Sequence, residues 1–160
     1  MLRYVVLLLV FPAVVALERF AHYAVRSQLF MFMRSSAADG GLDMPIKAAI
    51  DASALLGVMT GLAPLLGGLV AIATGPRIPM VAGAVCGALA YAALAVSSQG
   101  TLVMVFALWA LGYGLLLPSL YAALGREVAD QSEGLRVAPF VLMYGAVNAG
   151  AWVAPPISTA

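Results

Sequence analysis

Charged side chains are scarce in this sequence, and cysteine and histidine are almost absent. Only 9% of the 160 residues are charged, whereas a soluble domain carries about 25%. Eight cations and seven anions leave a net charge of +1, which excludes a nucleic-acid binder. One cysteine, Cys86, cannot form an internal disulfide, and with a single histidine, His22, it cannot build a structural zinc site. No cofactor motif or catalytic set of side chains is present, so we do not expect an enzyme.

Apolar residues make up 64% of the chain, and its uncharged runs have the length of membrane-spanning helices. Runs of 25, 48 and 24 uncharged residues follow Asp51, Arg77 and Arg136. Because about 20 apolar residues cross a bilayer, these runs hold one, two and one crossings, the longest being divided at the polar segment 97–101. An apolar amino-terminal helix adds a fifth. The sequence therefore predicts an all-α integral membrane protein without a soluble domain, with five transmembrane helices at roughly 3–34, 47–74, 78–97, 101–124 and 136–158.

The distribution of lysine and arginine predicts the orientation of these helices. One side of the membrane receives four cations and the other receives two, namely Arg3, Arg77, Arg126 and Arg136 against Arg34 and Lys47. The excess favours a cytoplasmic amino terminus in the cell (inner) membrane. An odd number of spans places the carboxy terminus outside without a polar tail, so we expect the chain to be a fragment. A cleavable signal ending near Ala16 is an alternative, but the apolar pattern continues through residues 29–33.

Four ionisable side chains share one face of the first predicted helix. With Val15 at 0°, helix geometry places Glu18 at about −60°, Arg19 at +40°, His22 at −20° and Arg26 at +20°. Near mid-depth each charge costs about 2.5–3.5 kcal/mol, so these groups must face a cavity or partners in the bundle. We predict a functional site on this stripe, with a purely structural ion pair of Glu18 as the alternative. His22 is either a hydrogen-bonded bundle residue or a proton-sensitive group.

Small residues and isolated polar groups predict how the helices pack. Close backbone approach at small residues is the main source of packing between helices in lipid. Lys47 and Asp51 have the i,i+4 spacing of an ion pair near a helix end, and we expect Asn148 to bond to another helix. The glycines that predict a tight bundle are Gly57 and Gly61, Gly67 and Gly68, Gly83 and Gly87, and Gly112 and Gly114.

Four short motifs follow one another along the chain. They are Glu18-Arg19-Phe20-Ala21-His22-Tyr23-Ala24-Val25-Arg26; Ala63-Pro64-Leu65-Leu66-Gly67-Gly68; Gly112-Tyr113-Gly114 with Leu117-Pro118-Ser119; and Met143-Tyr144 with Val147-Asn148 and Gly150. Together they resemble the first-, second-, fourth- and fifth-helix signatures of the proton-coupled oligopeptide transporters, a family of peptide:proton symporters. In that family the signatures read Glu-x-x-Glu-Arg-Phe, Thr-Pro followed by two apolar residues and Gly-Gly, Gly-x-Gly with Lys-Pro-Asn, and Phe-Tyr-x-x-Ile-Asn-x-Gly.

The resemblance implies the amino-terminal part of a major facilitator superfamily transporter, an incomplete six-helix bundle. It implies a small polar solute as substrate, a di- or tripeptide, moved by alternating access with a missing second bundle or partner subunit. Glu18 and Arg19 would line the central cavity, and Arg19 and Arg26 could hold a carboxylate. The full set of substrate-binding or coupling residues implied in this way is Glu18, Arg19, Tyr23, Arg26, Tyr144 and Asn148.

Two departures from the family's pattern concern charge. Val15 stands where the family has the first glutamate of its first-helix motif, and Leu117 stands where it has the fourth-helix lysine. Because an unpaired buried charge is costly, the two losses belong together and argue against proton coupling of the family's kind. Two alternatives remain open, namely a facilitator of another small solute and a non-transporting half or accessory subunit that packs against partner helices.

Overall fold

The computed structural model describes the backbone of residues 2–158 and the side chains of residues 4–155. Its five long helices are each long and apolar enough to cross a membrane, and no strand occurs in this part of the chain. The predicted all-α multi-pass membrane fold is thereby confirmed. The elements are α1 (Leu2–Arg34), a short 3-10 helix (Ala37–Asp39), α2 (Ile46–Thr74), α3 (Arg77–Leu94), α4 (Leu102–Glu127) and α5 (Glu133–Ser158).

The helix ends differ from the predicted spans by up to three residues, and local hydrogen bonding explains the differences. Helix α3 ends at Leu94 because the next amides form tighter turns. The Val96 amide donates to the Ala93 carbonyl and the Ser97 amide to the Leu94 carbonyl, three residues earlier and both at 3.2 Å. Helix α4 continues to Glu127 with a cation in its last turn, and α5 starts at Glu133 with an acid in its first turn. Both charges complement the helix dipole, which extends each helix into the polar connection.

The connection between α1 and α2 is short and well bonded. The amides of Leu42 and Met44 donate to the carbonyls of Phe32 and Met33 at 3.0 and 2.8 Å, which satisfies acceptors at the end of α1. Gly40 adopts the left-handed conformation, with φ of 79°, at the end of the 3-10 turn. The side-chain amide of Gln99 donates to the Leu42 carbonyl at 2.6 Å. This bond joins the α1–α2 and α3–α4 connections.

The described chain forms two compact units, one made of the residues up to Leu29 and from Ala123 onward, the other of Phe30–Ala122. In the second unit, α4 packs on both α2 and α3 through glycines. A Cβ added to Gly83 would lie 2.8 Å from the Gly112 carbonyl oxygen, and one added to Gly112 would lie 2.5 Å from the Gly87 nitrogen. The predicted role of glycine in close packing is confirmed at these positions. Gly61 and Gly68 differ, because an added Cβ would meet nothing within 4 Å.

The contact between α2 and α4 uses a carbonyl group that a proline has released. Pro118 has no amide hydrogen, so it cannot donate to the Gly114 carbonyl one turn earlier. That carbonyl oxygen lies where a Cβ on Gly67 would be, so the Gly67 Cα–H group faces it directly. A weak Cα–H···O contact of this kind contributes about 0.5–1 kcal/mol. Only glycine at position 67 leaves room for it.

In the first unit a second released carbonyl has a stronger partner. Pro139 on α5 leaves the Leu135 carbonyl without its usual helical donor. The Tyr4 hydroxyl on α1 donates to this carbonyl at 2.6 Å. This hydrogen bond ties the beginning of α1 to the first turn of α5, across 131 residues of sequence.

We expect Gly67→Ala and Gly68→Ala to change stability in opposite directions. The methyl group at position 67 overlaps the Gly114 carbonyl and should cost about 1–3 kcal/mol or more. The methyl group at position 68 meets nothing within 4 Å, so the higher helix propensity of alanine should stabilise the chain by up to about 1 kcal/mol. Thermal unfolding of both variants in detergent micelles measures the difference. Equal midpoints would contradict the packing described for α2 and α4.

Candidate functional site

The candidate site lies on α1, on the face predicted from helical geometry. Val15, Arg19, His22, Leu29 and Met33 recur on this face, and none of them is more than 3% exposed. Arg26 lies within the same arc but is exposed. The most buried stripe of α1 therefore carries two polar side chains at its centre and one accessible cation.

Glu18 and Arg19 form an ion pair within α1. The Nε and Nη2 groups of Arg19 donate to the two carboxylate oxygens of Glu18, so the pair is bidentate. The Arg19 side chain is 3% exposed and that of Glu18 is 14% exposed. In this environment the attraction is strong, and each charge neutralises the other. The pair can remain in a membrane-spanning helix because it carries no net charge.

Two aromatic rings lie beside the pair on the same helix. The Arg19 guanidinium carbon is 5.8 Å from the centroid of the Tyr23 ring, within cation–π range. The rings of His22 and Tyr23 meet edge to face, with centroids 5.2 Å apart and an interplanar angle of 80°. These contacts restrict the rotamers of Arg19, Tyr23 and His22. With Glu18 these residues form one ordered cluster on α1, and Arg26 lies outside it.

A glycine on α5 allows the close approach that buries Arg19. A Cβ added to Gly150 would lie 2.7 Å from the Arg19 Cβ and 2.9 Å from the Phe20 nitrogen. Any larger residue would push α5 away from the charged pair. Sequence reasoning placed Gly150 in a motif without assigning this role, although an isolated glycine in a helix is a signal of close backbone approach.

The two predicted site residues of α5 lie apart from the buried cluster. Tyr144 is 69% exposed, and Asn148 is exposed. The Asn148 side-chain amide donates to the Tyr144 carbonyl of its own helix at 2.9 Å. The expected interhelical hydrogen bond of Asn148 is therefore wrong for its side-chain amide, which donates to the carbonyl one turn earlier on α5 instead. At Gly150, α5 comes into close contact with Arg19.

The other charged residues that the sequence analysis singled out take ordinary positions. Lys47 and Asp51 form the expected i,i+4 ion pair at 2.6 Å, and both side chains are well exposed. Arg26 has no carboxylate within ion-pair distance among the described side chains. An exposed cation on the otherwise buried face of α1 can bind an anionic group. Val15, at the position of the missing family glutamate, is fully buried.

One known protein is similar to this chain over most of its length. It is the peptide transporter YePEPT of Yersinia enterocolitica subsp. palearctica serotype O:3 (strain YE-P4), which is 30% identical over 148 residues. The match covers 88% of this chain and 28% of that protein, so the chain spans little more than a quarter of its relative. No family model and no solved structure matches the chain.

The buried pair makes a sharp prediction for stability. Glu18→Gln removes the carboxylate that pairs with the buried Arg19 guanidinium and should destabilise the chain by about 3–5 kcal/mol. Arg19→Gln should cost less, because Glu18 is closer to solvent. The double variant should be more stable than Glu18→Gln alone, since no unpaired charge remains. Unfolding in detergent micelles measures all three.

The exposed pair at the start of α2 supplies the matched control. Lys47→Gln removes an exposed ion pair and should leave the stability of the chain nearly unchanged. If the losses of unfolding free energy in Glu18→Gln and Arg19→Gln simply add in the double variant, the two side chains do not stabilise each other as the bidentate bond indicates.

Proposed function

We propose that this chain is the amino-terminal part of a membrane transporter of the major facilitator type that moves small peptides. The similarity to a peptide transporter over 88% of the chain is the observation that carries the proposal. The four motifs of the sequence and the five apolar helices support it. Such proteins move a solute by rocking two helical bundles about a site near the middle of the membrane. On this proposal the chain supplies most of one bundle, in the cell (inner) membrane with its amino terminus in the cytoplasm.

Within the proposed site the residues have different tasks. Arg26 takes an anionic group such as the carboxylate of a peptide, because it is exposed on the otherwise buried face of α1. Glu18 and Arg19 line the same face as an ion pair without net charge, which keeps both side chains in fixed positions on α1. Tyr23 orders Arg19, and Tyr144 and Asn148 of α5 supply an aromatic surface and an amide for solute contacts.

The proposal does not include proton coupling of the oligopeptide transporter type through this part of the protein. Glu18 is the carboxylate nearest mid-depth in the described helices, and both of its oxygens are held by Arg19. Val15 offers no second acid, and Leu117 on α4 offers no base. A proton carrier needs a carboxylate that can lose its partner during the cycle, and the bidentate bond with Arg19 opposes such a loss at Glu18. The proposed protein is therefore a facilitator, whose transport is not coupled to protons.

Uptake into proteoliposomes tests this function. The protein expressed from the complete reading frame should accumulate labelled di- and tripeptides up to the external concentration, at a rate that a proton gradient leaves unchanged. Arg26→Gln should raise the KM for peptides by roughly tenfold or more, because a hydrogen bond to a charged group is lost. Lys47→Gln is the matched control, and it should leave KM unchanged. Failure of wild type to take up any member of a broad peptide panel would refute the peptide substrate.

Two other results would redirect the assignment rather than refute transport as such. Uptake that requires a proton gradient would overturn the uncoupled mechanism. Uptake of a different small solute, with peptides inert, would identify a facilitator of that solute.

A further inference from the structure

A cavity with a volume of about 630 Å³ lies in the first compact unit, away from the predicted solute site. It is formed where α1 begins, α4 ends and α5 begins. The bond from the Tyr4 hydroxyl to the Leu135 carbonyl ties two of its walls together. The volume is typical of a site for a small ligand. The lining residues are Tyr4, Val5, Leu7, Arg126, Glu127, Asp130, Gln131 and Leu135.

The charges of the lining select a ligand that carries both signs. Arg126 supplies one guanidinium, and Glu127 and Asp130 supply two carboxylates. A simple anion would be repelled by the carboxylates, and a simple cation would be repelled by Arg126. Gln131 and the Tyr4 hydroxyl add neutral hydrogen-bonding groups. The matching ligand therefore has a negative and a positive group close together.

The position of the cavity at the ends of the membrane spans favours a ligand that is also amphipathic. Arg126 and Glu127 are the last residues of α4, and Tyr4 is at the start of the apolar part of α1, so the cavity lies where the spans end. Its apolar walls are open to the surroundings, since Val5 is 42% and Leu135 is 45% exposed. In a bilayer these side chains meet acyl chains while the charged side chains meet headgroups.

We propose that this cavity binds the headgroup of a zwitterionic phospholipid with a primary ammonium group, of the phosphatidylethanolamine type. Arg126 holds the phosphate by charge-assisted hydrogen bonds, and the ammonium donates to Asp130 and Glu127. The acyl chains lie along Val5 and Leu135. A trimethylammonium headgroup fits less well because it has no N–H donor for the carboxylates. A lipid held in this way joins α1, α4 and α5 at the membrane surface, which is separate from any role in moving solutes.

Lipid-dependent unfolding of the purified 160-residue chain tests the proposal. The chain in detergent micelles is titrated with phosphatidylethanolamine, phosphatidylcholine or phosphatidylglycerol, and the unfolding midpoint is followed. Phosphatidylethanolamine should stabilise the chain at concentrations roughly tenfold lower than the other two lipids, as expected for hydrogen bonds to charged groups. Asp130→Asn and Arg126→Gln should each remove this preference. Arg136→Gln is the matched control, because Arg136 is exposed next to Leu135 but does not line the cavity.

Several results would overturn the proposal. Equal stabilisation by the three lipids, or an equal loss in the Arg136→Gln control, would refute a headgroup site. Equal stabilisation by free phosphoethanolamine would assign the cavity to a soluble ligand, and stabilisation by a dipeptide would assign it to the solute. If the Asp130 or Arg126 variants do not fold, native mass spectrometry of wild type settles the matter, since retention of phosphatidylcholine as strongly as phosphatidylethanolamine also refutes the proposal.

Discussion

A backbone carbonyl in a lipid bilayer has no water to bond to, and the packing of this chain depends on that constraint. Proline removes the donor that would bond to the carbonyl one turn earlier, and the structure supplies a replacement at two such places. The carbonyl released by Pro118 faces the Cα–H of Gly67, and the one released by Pro139 accepts a bond from Tyr4. Each compact unit thus contains an interhelical contact at a carbonyl that a proline has released, in addition to the contacts made at Gly83, Gly112 and Gly150.

The same low-dielectric surroundings govern the charges of α1. An isolated arginine at the depth of Arg19 would be costly, and the two hydrogen bonds that Arg19 donates to Glu18 lower that cost within a single helix. Gly150 then permits α5 to cover the neutral pair. A carboxylate held in this manner is poorly suited to carry a proton. In the proposed function the ligand therefore binds to Arg26, the accessible cation of the stripe.

The helices and the charged stripe could be predicted from the sequence because both depend on short-range patterns. Uncharged runs fix the number of spans, and the spacing of Glu18, Arg19, His22 and Arg26 fixes their common face. An ion pair of Glu18 was one of the alternatives that the sequence left open. Its partner, Arg19, could not be predicted, since neighbouring positions on a helix point about 100° apart and only the side-chain rotamers bring them together. The bond of Asn148 within α5 and the cavity beside Tyr4 were also missed. The sequence does not show whether Asn148 donates within its own helix or to another helix, and the cavity is lined by residues that are far apart in the chain.

The most direct test of the proline constraint is a double-mutant cycle on Tyr4 and Pro139. Tyr4→Phe deletes only the hydroxyl that donates to Leu135, and it should cost about 1 kcal/mol in the wild-type background. Pro139→Ala restores an amide hydrogen one turn after Leu135, so its carbonyl regains a helical donor and the Tyr4 hydroxyl should become worth half as much or less. The packing loss at position 139 cancels in the cycle. Unfolding in detergent micelles gives the four stabilities. An equal cost of Tyr4→Phe in both backgrounds would contradict the claim that the proline-released carbonyl is what holds α1 to α5.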